Sequence, residues 1–233
     1  AYNDKAERIV GRRLLNETPS DPTRRYPSTK GLADVFEAKN IWHNGSWWLQ
    51  PSAKGETELE ALLDRVERRV ENLQTLREFI LPENWAQEKA RLMALGVTPP
   101  GYHWQRGPVT FATSIYGAED FLLLVLDNPD LAARLRDAIL HAMLGIGTVL
   151  DTEAGHTPET APQGFGFADD NCCLMSPDMY DFWAYPILKG IFDAKAAKPG
   201  AWRYQHSDSA MGHLLPILGP LHVQPQRGSE YRS

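Results

Sequence analysis

The chain has 233 residues, 42% hydrophobic and 23% charged, with a formal net charge of −6. This balance fits a folded globular protein and supplies no basic field to attract nucleic acid or an anionic lipid surface. No apolar run approaches the roughly 20 residues of a membrane-spanning helix. The only two cysteines, Cys172 and Cys173, are adjacent, so a reducing, cytoplasmic setting is expected.

Residues 1–50 show turn signals (Asn16, Pro19, Asp21-Pro22, Pro27-Ser28) and an aromatic knot, Trp42-His-Asn-Gly-Ser-Trp-Trp48. They read as an irregular arm that packs its tryptophans onto another surface, with residues 51–233 as the main domain. From Glu56 to Ile80, apolar residues recur at steps of three and four, which predicts one long helix ended by Pro82. A shorter helix is predicted over 85–95. Gly107–Ser114 reads as extended chain leading into a helix over 118–126. Asn128-Pro129-Asp130 then gives an N-cap, a proline at the first helical position and an acid in the first turn. The helix behind it carries Leu131, Leu135, Ala138, Ala142, Ile146 and Val149 on one stripe.

Gly164–Ala168 is a short predicted strand ending on Asp169-Asp170-Asn171-Cys172-Cys173, and Ser176-Pro177-Asp178 repeats the helix-start chemistry. Pro186 breaks or kinks the helix that follows. Trp202–Gln205 is a second strand, ending on His206-Ser207-Asp208-Ser209, before an apolar helix over 211–218. Strands alternating with helices predict an α/β fold with a parallel sheet, whose sites gather at the carboxyl ends of the strands.

Both polar clusters fall at such ends. Neighbouring residues on extended chain point opposite ways, so one carboxylate of the Asp169–Asp170 pair is expected to face the site. His206 and Asp208, two apart, share a face and are candidate metal ligands, with Cys172 or Cys173 as a third. Such an N, O and S set suits zinc better than magnesium. The plainer alternatives are carboxylates capping the next helix and a histidine bonded to a nearby carbonyl. His43, among the tryptophans, is a candidate to lie over a flat ligand.

Three stretches in order, "GPVTFATSIYG" (107–117), "FADDNCCLMSPDMYDFWAYPILKGIFDA" (167–194) and "YQHSDSAMGHLLPIL" (204–218), resemble the uroporphyrinogen decarboxylase superfamily. "DNPDLAARLRDAI" (127–139) looks like the segment between the first two. The similarity covers about half the chain and implies a (β/α)8 TIM-barrel-like fold, incomplete or divergent at its C-terminal end, where "GPLHVQPQRGSEYRS" lacks further strand–helix units. Two activities follow from it: decarboxylation of a tetrapyrrole, and zinc-dependent methyl transfer with a corrinoid cofactor. The decarboxylases carry an Arg-rich "RQAGR"-like segment, echoed only loosely by "GRRLLNETPSDPTRRYP", and a tyrosine where Ser114 stands, with Tyr116 two residues on. The methyltransferases carry a His-x-Cys zinc pair, here His206 and Asp208.

The resemblance therefore implies a zinc-assisted methyltransferase acting on an O- or N-methyl small molecule. A corrinoid protein would be its partner, and a homodimer is compatible with it. Asp169, Asp170 and Tyr116 become the catalytic candidates and Ser114, Asn171 and His43 the substrate-binding ones. A metal-free lyase using Asp169 or Asp170 on pyrrole N–H groups, and a non-catalytic tetrapyrrole-binding or corrinoid-binding barrel, are the alternatives.

Overall fold

The computed structural model describes residues 2–15, 21–221 and 223; Asn16, Pro19 and most of the Pro/Gly/Arg-rich C-terminal end lie outside them. Helix α1 (Tyr2–Val10) and the short α2 (Leu32–Val35) come first. A hairpin follows, β1 (Asn40–His43) paired antiparallel with β2 (Ser46–Leu49). The arm is thus more ordered than its turn signals suggest: Leu32, Val35 and Phe36 enter the main core. The hairpin turn is Asn44-Gly45, both with positive φ (50° and 79°), the backbone that a tight two-residue connection demands. Its tryptophans are not packed away. Trp42, Trp47 and Trp48 are all exposed.

The predicted long helix is two, α3 (Gly55–Val70) and α4 (Leu73–Ile80). Asn72 starts the second by accepting the Thr75 amide at 2.9 Å. The apolar period runs across the break because both helices pack on the same partner, α8 (Pro129–Glu153). Helix α5 (Trp85–Ala94) follows, then β3 (Trp104–Arg106), α6 (Pro108–Tyr116) and α7 (Ala118–Asp127). All six stripe residues of α8 are buried, each large one worth about 1.5–3 kcal/mol by area.

Beyond α8 come β4 (Gly164–Ala168), α9 (Pro177–Trp183), α10 (Tyr185–Lys195), β5 (Trp202–His206) and the single turn α11 (Leu215–Leu218). Pro186 does break the chain's helix, in the first turn of α10. The apolar helix expected over 211–218 shrinks to a 3₁₀ turn, Gly212–Leu214, and α11.

Strands β3, β4 and β5 form one parallel sheet in that order, each joined to the next through helices. Among the described residues it has three strands and does not close into a barrel. One face is dry: Phe165 and Phe167 of β4 are fully buried, and Phe167 meets Phe192 of α10 edge-on at 5.6 Å. No single described helix is long and apolar enough to cross a membrane.

Candidate functional site

The pairing register sorts the opposite face of the sheet. Trp104 lies beside Gly166 and Arg106 beside Ala168, while Trp202, Tyr204 and His206 lie beside Gly164, Gly166 and Ala168. Side chains at every second position share a face, so this one carries Trp104, Arg106, Trp202, Tyr204 and His206 across a glycine-bearing central strand. The glycines matter sterically. A Cβ on Gly166 would sit 2.4 Å from the Trp104 ring, and one on Gly164 would sit 2.0 Å from that of Trp202, so both rings lie directly on the backbone of β4.

At the carboxyl end of β4 the two carboxylates part, as alternation predicts. Asp169 turns under the sheet and is 0% exposed. It accepts the Thr110 amide at 2.7 Å and the Val109 amide at 3.4 Å, so it holds the amino end of α6. Burial pushes its pKa up to about 6, against the pull of those amides. This is also why 107–114 is helical rather than extended. Gly107 and Pro108 open the helix, the Asp169 carboxylate satisfies two of its orphan amides, and the apolar run is a helix buried on most of its surface. Gly107 admits no side chain, since its Cβ would meet Asp169 Cβ at 2.1 Å.

Asp170 turns the other way, into the mouth, where its Oδ1 accepts the Asp208 amide at 2.8 Å across the gap to β5. His206 Nε2 and Asp208 Oδ1 are 3.2 Å apart. One donor atom from each of Asp170, His206 and Asp208 lies within 4.8 Å of the others. Zinc bound at about 2.0–2.2 Å needs tetrahedral ligand atoms roughly 3.4 Å apart. The Asp208 side chain is exposed. The set, one imidazole nitrogen and two carboxylate oxygens, could hold a divalent metal ion, and its geometry does not single out zinc. Comparison with protein families, characterised proteins and solved structures finds no match to this chain.

Beside this group opens a cleft of about 540 Å³ lined by Asp170, Asn171, Arg106, Thr110, Ser114 and Ala168, with Trp47, Trp48 and Trp104 as walls. Ser114 is held by two bonds, donating to the Thr110 carbonyl at 2.6 Å and accepting from Arg106 Nη1 at 3.0 Å. Asn171 donates to Thr113 Oγ1 at 2.7 Å and its amide to Thr110 Oγ1 at 2.9 Å. Of the candidates named from sequence, Asp170, Asn171 and Ser114 line this cleft, and His206 and Asp208 join Asp170 in the adjoining donor group.

The remaining candidates lie elsewhere. Tyr116 ends α6 at 3% exposure, and burial, with Asp120 and Glu56 nearby, raises its hydroxyl pKa. Cys172 is in the core, its thiol pushed up to about 12 by burial and by the charge of Asp169, and its nearest polar partner is Ser207 Oγ at 3.9 Å. Cys173 is half-buried, and neither thiol joins the Asp170–His206–Asp208 group. His43 stands on the hairpin outside the cleft lining. Sequence reasoning misses Arg106 and Trp104. The only signal for them is their position, at the two ends of a three-residue strand too short to read from periodicity.

Proposed function

We propose that the chain is a metal-assisted methyltransferase of the uroporphyrinogen decarboxylase type, its three strands belonging to a (β/α)8-like barrel. It would move a methyl group from an O- or N-methyl compound to a corrinoid on a partner protein. The observation that carries this reading is the convergence of Asp170, His206 and Asp208 at the carboxyl ends of adjacent parallel strands, beside a cleft of substrate size. Asp170, His206 and Asp208 would hold the ion, and zinc bound there supplies Lewis acidity that polarises the heteroatom carrying the methyl group. The amide of Asp208 on Asp170 fixes the carboxylate before any ion arrives. Ser114 and Asn171, each already hydrogen-bonded to α6, offer polar contacts to the substrate from a rigid support.

A lyase acting through the acidic pair has less support. Asp169 is fully buried and both its oxygens take α6 amides, which leaves Asp170 as the one carboxylate of the pair facing the cleft.

Metal content tests the reading. Protein purified without chelator is expected to carry about one zinc per chain by mass spectrometry. His206→Ala and Asp208→Ala should lose it, whereas Cys173→Ser should keep it. Metal-free wild type, or zinc that survives His206→Ala, would end the proposal.

A further inference from the structure

We infer that the cleft takes a compact planar anion, a one- or two-ring aromatic or heteroaromatic carboxylate, with its carboxylate on Arg106 and its ring against Trp104. The inference rests on the proposed function for the place of the substrate, and on the cleft itself for the charge and shape. Arg106 is half-buried at the end of β3, and its one hydrogen bond ends on the Ser114 hydroxyl. Every other half-buried arginine among the described residues ends on a carboxylate or on carbonyl oxygens. Arg65 and Arg69 meet Glu37, Arg77 meets Glu153, Arg134 meets Asp64 and Glu67, Arg136 meets Asp137, and Arg203 meets the carbonyls of Ala196 and Leu221.

A guanidinium has five N–H donors in a planar fork matched to a carboxylate. Most of the Arg106 fork is unclaimed by protein. Burial already holds its pKa below the ordinary guanidinium value, while the charge of Asp170 acts the other way without an ion pair forming. A partly desolvated cation without a counterion is costly, and an incoming carboxylate relieves that cost.

The walls set the shape. Trp47, Trp48 and Trp104 are 60%, 55% and 48% exposed and border the same cleft. Trp104 rests on Gly166 and leans on Tyr204 at 5.5 Å, a tilted pair 35° apart, so its position is set by packing rather than by a ligand. A rigidly held indole at the cleft wall suits a flat π-system, which it can meet by stacking or edge-on.

Binding of 2-naphthoate to the full chain, measured by calorimetry with chelator present, tests this without metal. The amide of the same acid and cyclohexanecarboxylate serve as controls for charge and for flatness. The naphthoate is expected to bind at least tenfold more tightly than either control. Arg106→Leu should weaken it at least tenfold with an unchanged melting temperature, and Arg106→Lys, which keeps the charge and loses the fork, should fall between. If Arg106→Leu does not fold, a clear weakening in Arg106→Lys supports the inference in its place. Equal binding of the amide, equal binding of the cyclohexane acid, no measurable binding, or indifference to both variants would overturn the inference. Zinc absent with naphthoate bound would sink the metal reading alone; zinc present with no naphthoate binding would sink this one alone.

Discussion

Glu153, at the last position of α8, is the only anion in a buried knot, and its removal should be costly in a pH-dependent way. Arg77 Nε donates to Oε1 at 2.7 Å, and Trp85 Nε1 and Lys89 Nζ both donate to Oε2 at 2.8 Å. These bonds tie α4 and α5 to the end of α8. Burial by itself would raise the carboxyl pKa; the bonds from Lys89, Trp85 and Arg77 outweigh it and hold it at about 2, against an ordinary 4.5. A gap of that size is worth about 3 kcal/mol at neutral pH. Arg77 is 42% exposed, so solvent screening trims the figure to about 2–3 kcal/mol.

The sign follows from a folded-state pKa below the unfolded one. The stabilisation is complete above the unfolded value and fades as pH falls toward the folded value, by roughly 0.8 kcal/mol between pH 7 and 4 and roughly 2 kcal/mol by pH 3. Glu153→Gln keeps the shape, removes the charge and aims an amide N–H₂ at existing donors. Urea unfolding of both proteins from pH 7 to pH 3 is the assay, since urea leaves ion pairs unscreened. The variant should be about 2–3 kcal/mol less stable at pH 7, with the difference shrinking through the acid range. A difference below about 0.5 kcal/mol at pH 7, or one that does not change with pH, would refute this account of the knot.

Gly107→Ala should cost about 2–3 kcal/mol, because its Cβ would stand 2.1 Å from Asp169 Cβ and 2.8 Å from Asp169 Cα, where backbone must move. A thermal melt should fall by roughly 4–12 °C, and a shift under about 2 °C would show that the contact relaxes freely. Asn128→Ala removes the cap that accepts the Leu131 amide at 3.2 Å and the side-chain bond to Glu56 at 2.7 Å. It should lose about 1 kcal/mol in urea unfolding, part of it restored by Asn128→Ser, which keeps a capping oxygen without setting a second carboxylate against Glu56.

Much of this protein is legible in its local chemistry. The stripe of α8, the caps at Asn128 and Ser176, the strands β4 and β5 and the split of Asp169 from Asp170 all follow from rules that act over a few residues. Helical period, a side-chain oxygen facing bare amides and the alternation of a strand need nothing from the rest of the chain. His206 and Asp208 are legible the same way, two apart at one strand end. What does not read locally depends on partners distant in sequence. Gly107–Ser114 becomes helix because Asp169, some 60 residues away, caps it. The tryptophans of 42–48 become an exposed wall because, among the described residues, no element covers their hairpin. Cys172 leaves the metal set because the core takes its side chain, and Arg106 acquires meaning only when the fold brings it no carboxylate. Periodicity and capping are local energies and survive in the sequence alone. Burial, and the presence or absence of a counterion, are properties of the assembled neighbourhood, and only the tertiary structure decides them.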